Sequence, residues 1–222
     1  MRTVKPRSNP GNRPPAPAEG SALRNPKGGA WRGGGTAARP KRDPRATRAA
    51  LIDAAAKIFK REGYFATDSN AIARRAGYAP GSFYNHFADK TAILLAVYEQ
   101  YVEQEWDGIR QAMALHPKSR IPSVLEFLEN LHGEWARFRT DLRTVAQMEP
   151  AVTKALAASR AKQMELLAGL SGLSRTKDGP RLLIALTLVE RYAGLIAEGH
   201  ALGLQAATIR REMAASLQRA LR

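Results

Sequence analysis

The stretch that most restricts the fold runs from Ser69 to Phe87, SNAIARRAGYAPGSFYNHF. Ile72, Ala73 and Ala76 share one apolar face, while Arg74 and Arg75 lie on the other, which predicts a short amphipathic helix. Gly77 then offers a residue that tolerates φ > 0, as the position just past a helix requires. Pro80 suits the first turn of a second helix, because the N–H it lacks would find no partner there. Phe83 and Phe87 stand four apart for a core, leaving Ser82, Tyr84, Asn85 and His86 toward water. Two short helices about a tight turn fit helix-turn-helix geometry, in which the second helix enters a major groove and the first crosses the backbone. The pattern by itself also fits an ordinary αα-hairpin.

The flanks decide between these. Upstream, a helix is predicted over Arg45–Glu62, with Leu51, Ala55, Ile58 and Phe59 on one stripe and Lys57, Lys60 and Arg61 outward. Thr67 or Asp68 is the expected N-cap of the next helix. Downstream, Ala88-Asp89-Lys90 opens a longer one. The run from Gly77 to Phe87, followed by Lys90, resembles the DNA-binding signature of the TetR/AcrR family of bacterial repressors, loosely A-G-V-S-x-G-[ST]-[LIF]-Y-x-[HY]-F-x-x-K. The resemblance covers Arg45 to Tyr101 at motif level; beyond that, only helix count and spacing agree. Ala79 departs from the pattern, standing where the family usually has a capping Ser, a loss typically worth about 1 kcal/mol.

The residues support a DNA role one by one. Ser69 and Asn70 open a helix whose N–H groups and positive dipole end attract phosphate, and they match family positions that touch phosphate or base. Pro80 starts the second helix, and the small Gly81 and Ser82 let it approach base edges. By the resemblance, Tyr84 and Asn85 are the central recognition residues, and His86 and Lys90 are phosphate contacts. Asn can pair with adenine in a bidentate manner, and Tyr can offer its ring to a thymine methyl and its OH to phosphate.

Charge points the same way. The net charge is +15, of which +8 falls in residues 1–44 and +4 in residues 45–90. Such an excess favours polyanions, nucleic acid first. Residues 1–44 hold eight Pro and seven Gly with few large apolar side chains, so a disordered basic arm is expected there. Sequence-independent nucleic-acid binding driven by that arm is the alternative to a sequence-specific regulator. The chain has no Cys, which excludes disulfides and thiolate chemistry. No apolar run approaches the ~18–20 residues of a membrane span and no signal-like segment opens the chain, so a cytoplasmic bacterial protein is expected. No nucleophile–base pair, carboxylate motif, phosphate loop or metal-ligand spacing stands out. An enzyme is therefore not expected, and neither is a cofactor or a metal.

Past residue 90 the helices lengthen, and the whole is expected to be all-α with about nine helices. An N-terminal three-helix helix-turn-helix domain over residues 45–90 precedes a helical domain over residues 91–222. Helices are predicted over Thr91–Leu115, Pro122–Arg139, Leu142–Gln147, Ala151–Leu170, Arg181–Leu202 and Ala206–Leu221. The last two carry more apolar surface than one stripe needs. The resemblance implies that this pair, residues 181–221, forms a homodimer interface. It implies further that the middle helices enclose a small-molecule effector, with release from a palindromic operator as the mechanism. Candidate pocket residues are Trp106, Phe127, Trp135, Phe138, Met148, Met164 and Tyr192, with His132, Glu134, Glu190 and His200 as polar anchors.

Overall fold

The structure is a computed structural model that describes residues 43–197, 199 and 203–221. All but the last two residues of the basic arm lie outside this set, as does His200. Among the described residues the chain forms nine helices and no strand.

The first helix, α1 (Pro44–Arg61), starts where Asp43 accepts a hydrogen bond from the Arg45 N–H at 2.8 Å, with Pro44 at its first position. Leu51, Ala55, Ile58 and Phe59 are buried, as their stripe predicts. Gly63 turns the chain away at φ 95°, and its missing side chain has a second use. A Cβ there would fall 2.6 Å from Arg137 Nε and 2.7 Å from Asp141 Oδ2, so a distant helix can approach this turn closely. Next, α2 (Ser69–Arg75) is capped by Asp68, whose carboxylate accepts from Ala71 N–H at 2.7 Å. Of the two expected caps, Asp68 is the one used. The second helix of the motif, α3 (Pro80–Tyr84), has only five residues, shorter than the stretch to Phe87 suggested. Asp89 then caps α4 (Lys90–Leu115) through Ala92 N–H at 2.7 Å.

Two predicted boundaries move. A single helix expected over Pro122–Arg139 is divided into α5 (Arg120–Glu134) and α6 (Ala136–Met148), meeting at Trp135. The expected short segment Leu142–Gln147 is thus the second half of α6. Apolar spacing continues through the joint, so periodicity could not reveal it. Packing does: the Trp135 ring sits 5.2 Å from both Tyr101 and Phe138, and Lys60 lies 4.7 Å over its face. Tertiary burial of these rings overrides a straight continuation. The remaining helices are α7 (Pro150–Ser171), α8 (Gly179–Ala197) and α9 (Ala206–Ala220); the expected end of α8 at Leu202 lies outside the described residues.

Two apolar clusters hold these helices. One joins Leu51, Phe59, Ile72, Phe83 and Leu94 of the first four helices to Trp135 and Phe138 of the α5–α6 joint. The other joins Leu125 and Leu128 of α5 to Tyr192 of α8 and Leu217 of α9. Phe127 packs against both. It also fits against Gly108 of α4, where a Cβ would lie 1.9 Å from its ring. Helix α5 thus contributes to both clusters, as do α4 through Leu94 and Ile109 and α7 through Leu156 and Leu167, and α5 runs antiparallel to α4.

Candidate nucleic-acid interface and ligand cavity

Local chemistry fixes the helix-turn-helix. Gly77 takes φ 80°, and its N–H donates to Arg74 O at 3.0 Å while Tyr78 N–H reaches Ala73 O at 2.9 Å. Phe83 is fully buried, its ring 5.6 Å from Phe87, so two aromatic side chains anchor α3 to the core. Burying side chains of this size stabilises by about 1.5–3 kcal/mol each. That holds in place a helix too short to stand alone. At its N-cap, Ala79 has the extended backbone of a cap (φ −66°, ψ 149°) but no side-chain hydrogen bond.

Anchoring one face leaves the other free. Pro80, Gly81, Tyr84 and Asn85 are exposed, while Ser82 and His86 are half-buried. Tyr84 is 57 % exposed, with the edge of its ring against Phe83. On α2, Asn70 is exposed and Ser69 half-buried, and Arg74 and Arg75 are exposed. Arg48 stands over the Phe87 ring at 5.1 Å, a basic group beside the motif that the sequence pattern did not single out.

Lys90 sits differently from its neighbours. Its ammonium donates to Thr67 O at 2.9 Å and Tyr64 O at 3.1 Å, and lies 4.0 Å over the Tyr64 ring. Burial pushes its pKa down, with Asp68 opposing the shift. The side chain thus ties the α1–α2 connection to the start of α4.

A second tie comes from α6. Asp141 Oδ2 accepts the Tyr64 N–H at 2.6 Å, across 77 residues of sequence. Close by, Thr91 Oγ1 donates to Glu149 at 3.2 Å, and Lys60 pairs with Glu134. So the turn that leads into the motif is held by polar contacts to the α5–α6 segment.

That same segment walls a cavity of about 660 Å³ between α4, α5, α6, α7, α8 and α9. Of the candidate pocket residues, Trp106, His132 and Glu190 line it. The other described candidates sit elsewhere. Trp135 and Phe138 belong to the first apolar cluster, Phe138 lying 6.3 Å from Phe59. Tyr192 is in the second cluster, its OH donating to Glu129. Phe127 fills the space left by Gly108; Met164 is half-buried on α7 away from the cavity wall; Met148 is exposed at the end of α6. Glu134 is engaged at the surface by Lys60. Each lies on a helix with apolar residues on more than one side, so sequence spacing could not separate core from cavity wall.

Around the expected anchors His132 and Glu190, the cavity wall carries further polar groups that sequence reading passed over, among them Tyr98, Tyr101, Glu105, Arg139, Arg160 and Gln163. His132 Nε2 and Glu105 Oε1 are 2.8 Å apart, and Tyr101 OH donates to the same Glu105 oxygen at 3.3 Å. Burial pushes the Tyr101 phenol far up, Glu105 adds to the shift, and the Arg139 guanidinium opposes it. Gln163 donates to Tyr98 OH at 3.3 Å, and Arg160 pairs with Glu190. Among the described residues no group of acids, His or Cys is placed to hold a metal ion, and no helix is long and apolar enough to cross a membrane.

A buried scaffold that presents a short helix with exposed Tyr, Asn and Gly defines a helix-turn-helix transcriptional regulator. Residues 51–97 match the family described as bacterial regulatory proteins, tetR family. The HTH-type transcriptional activator FasR of Mycolicibacterium smegmatis is 31% identical over 163 residues, spanning 70% of this chain and 72% of the relative. The chain belongs to the tetR family and is a DNA-binding transcriptional regulator, in a family of regulatory proteins rather than enzymes. Solved structures share the fold. A TetR-family regulator from Streptomyces coelicolor aligns with TM-score 0.56 at 20% identity, over 79% of this chain and 97% of that one. The fatty acid degradation regulator FadR from Bacillus halodurans aligns with TM-score 0.53 at 16% identity, over 80% and 96%.

Proposed function

We propose that the protein is a cytoplasmic, homodimeric repressor that leaves a palindromic operator when a small molecule fills the cavity. The observation that carries the reading is the position of α6. One of its faces lines the cavity through Arg139 and Leu142, and its Asp141 holds the Tyr64 backbone at the entrance to the helix-turn-helix. A ligand that shifts α6 therefore bears on the pitch of α2 and α3, and differential binding to the two states is all that release requires.

In this reading residues 45–90 are the DNA-binding domain and residues 91–222 the effector and dimerisation domain. Tyr84 and Asn85 contact base edges; Gly81 and Ser82 allow the approach; Ser69, Asn70 and His86 take phosphates; Pro80 sets the start of α3. Lys90 acts mainly by fixing the α1–α2 connection, because two carbonyls and a ring already surround its ammonium. Dimerisation draws support from α8, where Leu183, Ile184 and Leu188 form an exposed apolar strip. Pairing with a second copy would cover it and set two recognition helices about 34–36 Å apart. The FasR relative is named an activator, which supports a second reading in which the bound protein promotes transcription.

The test is selection of bound duplex from a random pool by the full-length protein and by residues 44–222, at ~150 mM salt where non-specific attraction is weak. A single palindrome from both is the expected result. Enrichment of no sequence by either would remove the specific-regulator reading in favour of arm-driven binding. A reporter placed behind the recovered site then separates repression from activation.

A further inference from the structure

The cavity wall has an uneven charge. Five arginines line it (Arg120, Arg139, Arg143, Arg160 and Arg191) against two glutamates, Glu105 and Glu190. Glu190 pairs with Arg160, and Glu105 accepts through one oxygen from Tyr101 and lies 2.8 Å from His132 Nε2. The described wall thus carries more positive than negative side chains. Arg139, in contrast, is half-buried on the wall and makes no ion pair among the described residues. Its charge reaches inward far enough to oppose the upward shift of the buried Tyr101 phenol.

Polarity is also divided along the cavity's length. On α4, Tyr98, Tyr101 and Glu105 come first, followed a turn or two later by Ile109 and Met113. Antiparallel to it, α5 brings His132 to the polar end and Ile121 and Val124 to the other, where the exposed Arg120 stands at the rim. Leu217 of α9 and Leu221, just past its end, also line this part of the cavity. Two nitrogens on lining residues, Trp106 Nε1 and His132 Nδ1, are buried and have no hydrogen-bond partner among the described residues.

We propose that the ligand of this cavity is an amphiphile with one anionic head, a carboxylate or a phosphate, and an unbranched apolar chain. The head pairs with Arg139 at the α6 end, and the chain lies between α4, α5 and α9. A planar guanidinium with no carboxylate partner suits a bidentate oxyanion, and the volume is within the ordinary range for a small-molecule site. The inference rests on the effector reading of the cavity, because its head site is on the helix that holds the motif.

The full-length protein is titrated with dodecanoate, dodecyl phosphate, dodecanol and dodecyltrimethylammonium below their micelle-forming concentrations, following heat by calorimetry. Tighter binding of the two anions than of the alcohol, and negligible binding of the cation, is expected. Affinity for shorter carboxylates should fall about fourfold per methylene removed. Arg139→Gln should weaken anion binding by about 10- to 100-fold and leave the alcohol unchanged, with Arg139→Lys recovering part. The preference between the two anions identifies the head group. Tighter binding of alcohol or cation, no binding of either anion, or an Arg139→Gln variant that binds anions like the parent overturns the proposal. If that variant is unstable, the parent's ligand series and Arg139→Lys decide. Operator release is read separately: anion binding without release leaves this proposal standing and removes ligand-controlled repression.

Discussion

Replacing Asp141 with Ala removes one acceptor from the backbone of the turn that leads into the helix-turn-helix. Its carboxylate oxygen lies 2.6 Å from Tyr64 N, on a residue that is only 6 % exposed. A hydrogen bond to an ionised group contributes about 1.5–3 kcal/mol, and leaving the buried N–H without an acceptor adds to the loss. A total of about 2–3 kcal/mol follows, because water reaches the half-buried Asp141 site in part. For a chain of this length each kcal/mol lowers the melting temperature by about 2–4 °C, so a fall of about 4–12 °C is expected. Asp141→Asn keeps an acceptor oxygen and gives up the charge, so it should lose about half as much. Differential scanning calorimetry of the three proteins, with matched concentrations, reads the order. Melting of the Ala variant within 1 °C of the parent would refute the bond as a structural tie, and with it the route from cavity to motif. An Asn variant that melts below the Ala variant would refute the charge-assisted account of its strength.

Three further outcomes follow from the same contacts. Ala79→Ser should raise the melting temperature by about 2–4 °C, because the exposed cap position already has extended backbone and a missing N-cap is worth about 1 kcal/mol. Tyr84→Ala and Asn85→Ala should abolish preference for the selected operator over random duplex in fluorescence anisotropy while the proteins melt within about 2 °C of the parent, since both side chains are exposed. Burial raises the phenol pKa of Tyr64, Tyr98, Tyr101 and Tyr192 in the folded chain. Because the folded values lie above the unfolded value of about 10, the stability they carry is whole below that pH and is lost as pH rises through it. Tyrosinate absorbance should show these four phenols ionising together with alkaline unfolding rather than before it.

Much of the DNA-binding half was legible in order along the chain. The stripes of α1 and α2, the Asp68 cap, the proline start of α3 and the Phe83–Phe87 anchor are all local signals, set within one or two helical turns. Such signals specify which residues are helical and which face is apolar. The side of α3 left to the solvent, with Tyr84 and Asn85, follows directly from burying the two phenylalanines.

Tertiary structure decided the rest, for reasons of range. Asp141 meets Tyr64 across 77 residues, and nothing near either one in sequence marks the partner. Lys90 matches a phosphate contact in the signature, yet two carbonyls and an aromatic face brought together by folding draw its ammonium inward. In the middle helices, Trp106 and Trp135 have the same chemistry in similar apolar patterns, and only packing makes one a cavity wall and the other a joint between α5 and α6. Periodicity gives the apolar faces of a helix; it does not say whether a given face meets another side chain or a space, because that depends on how far apart the neighbouring helices stand.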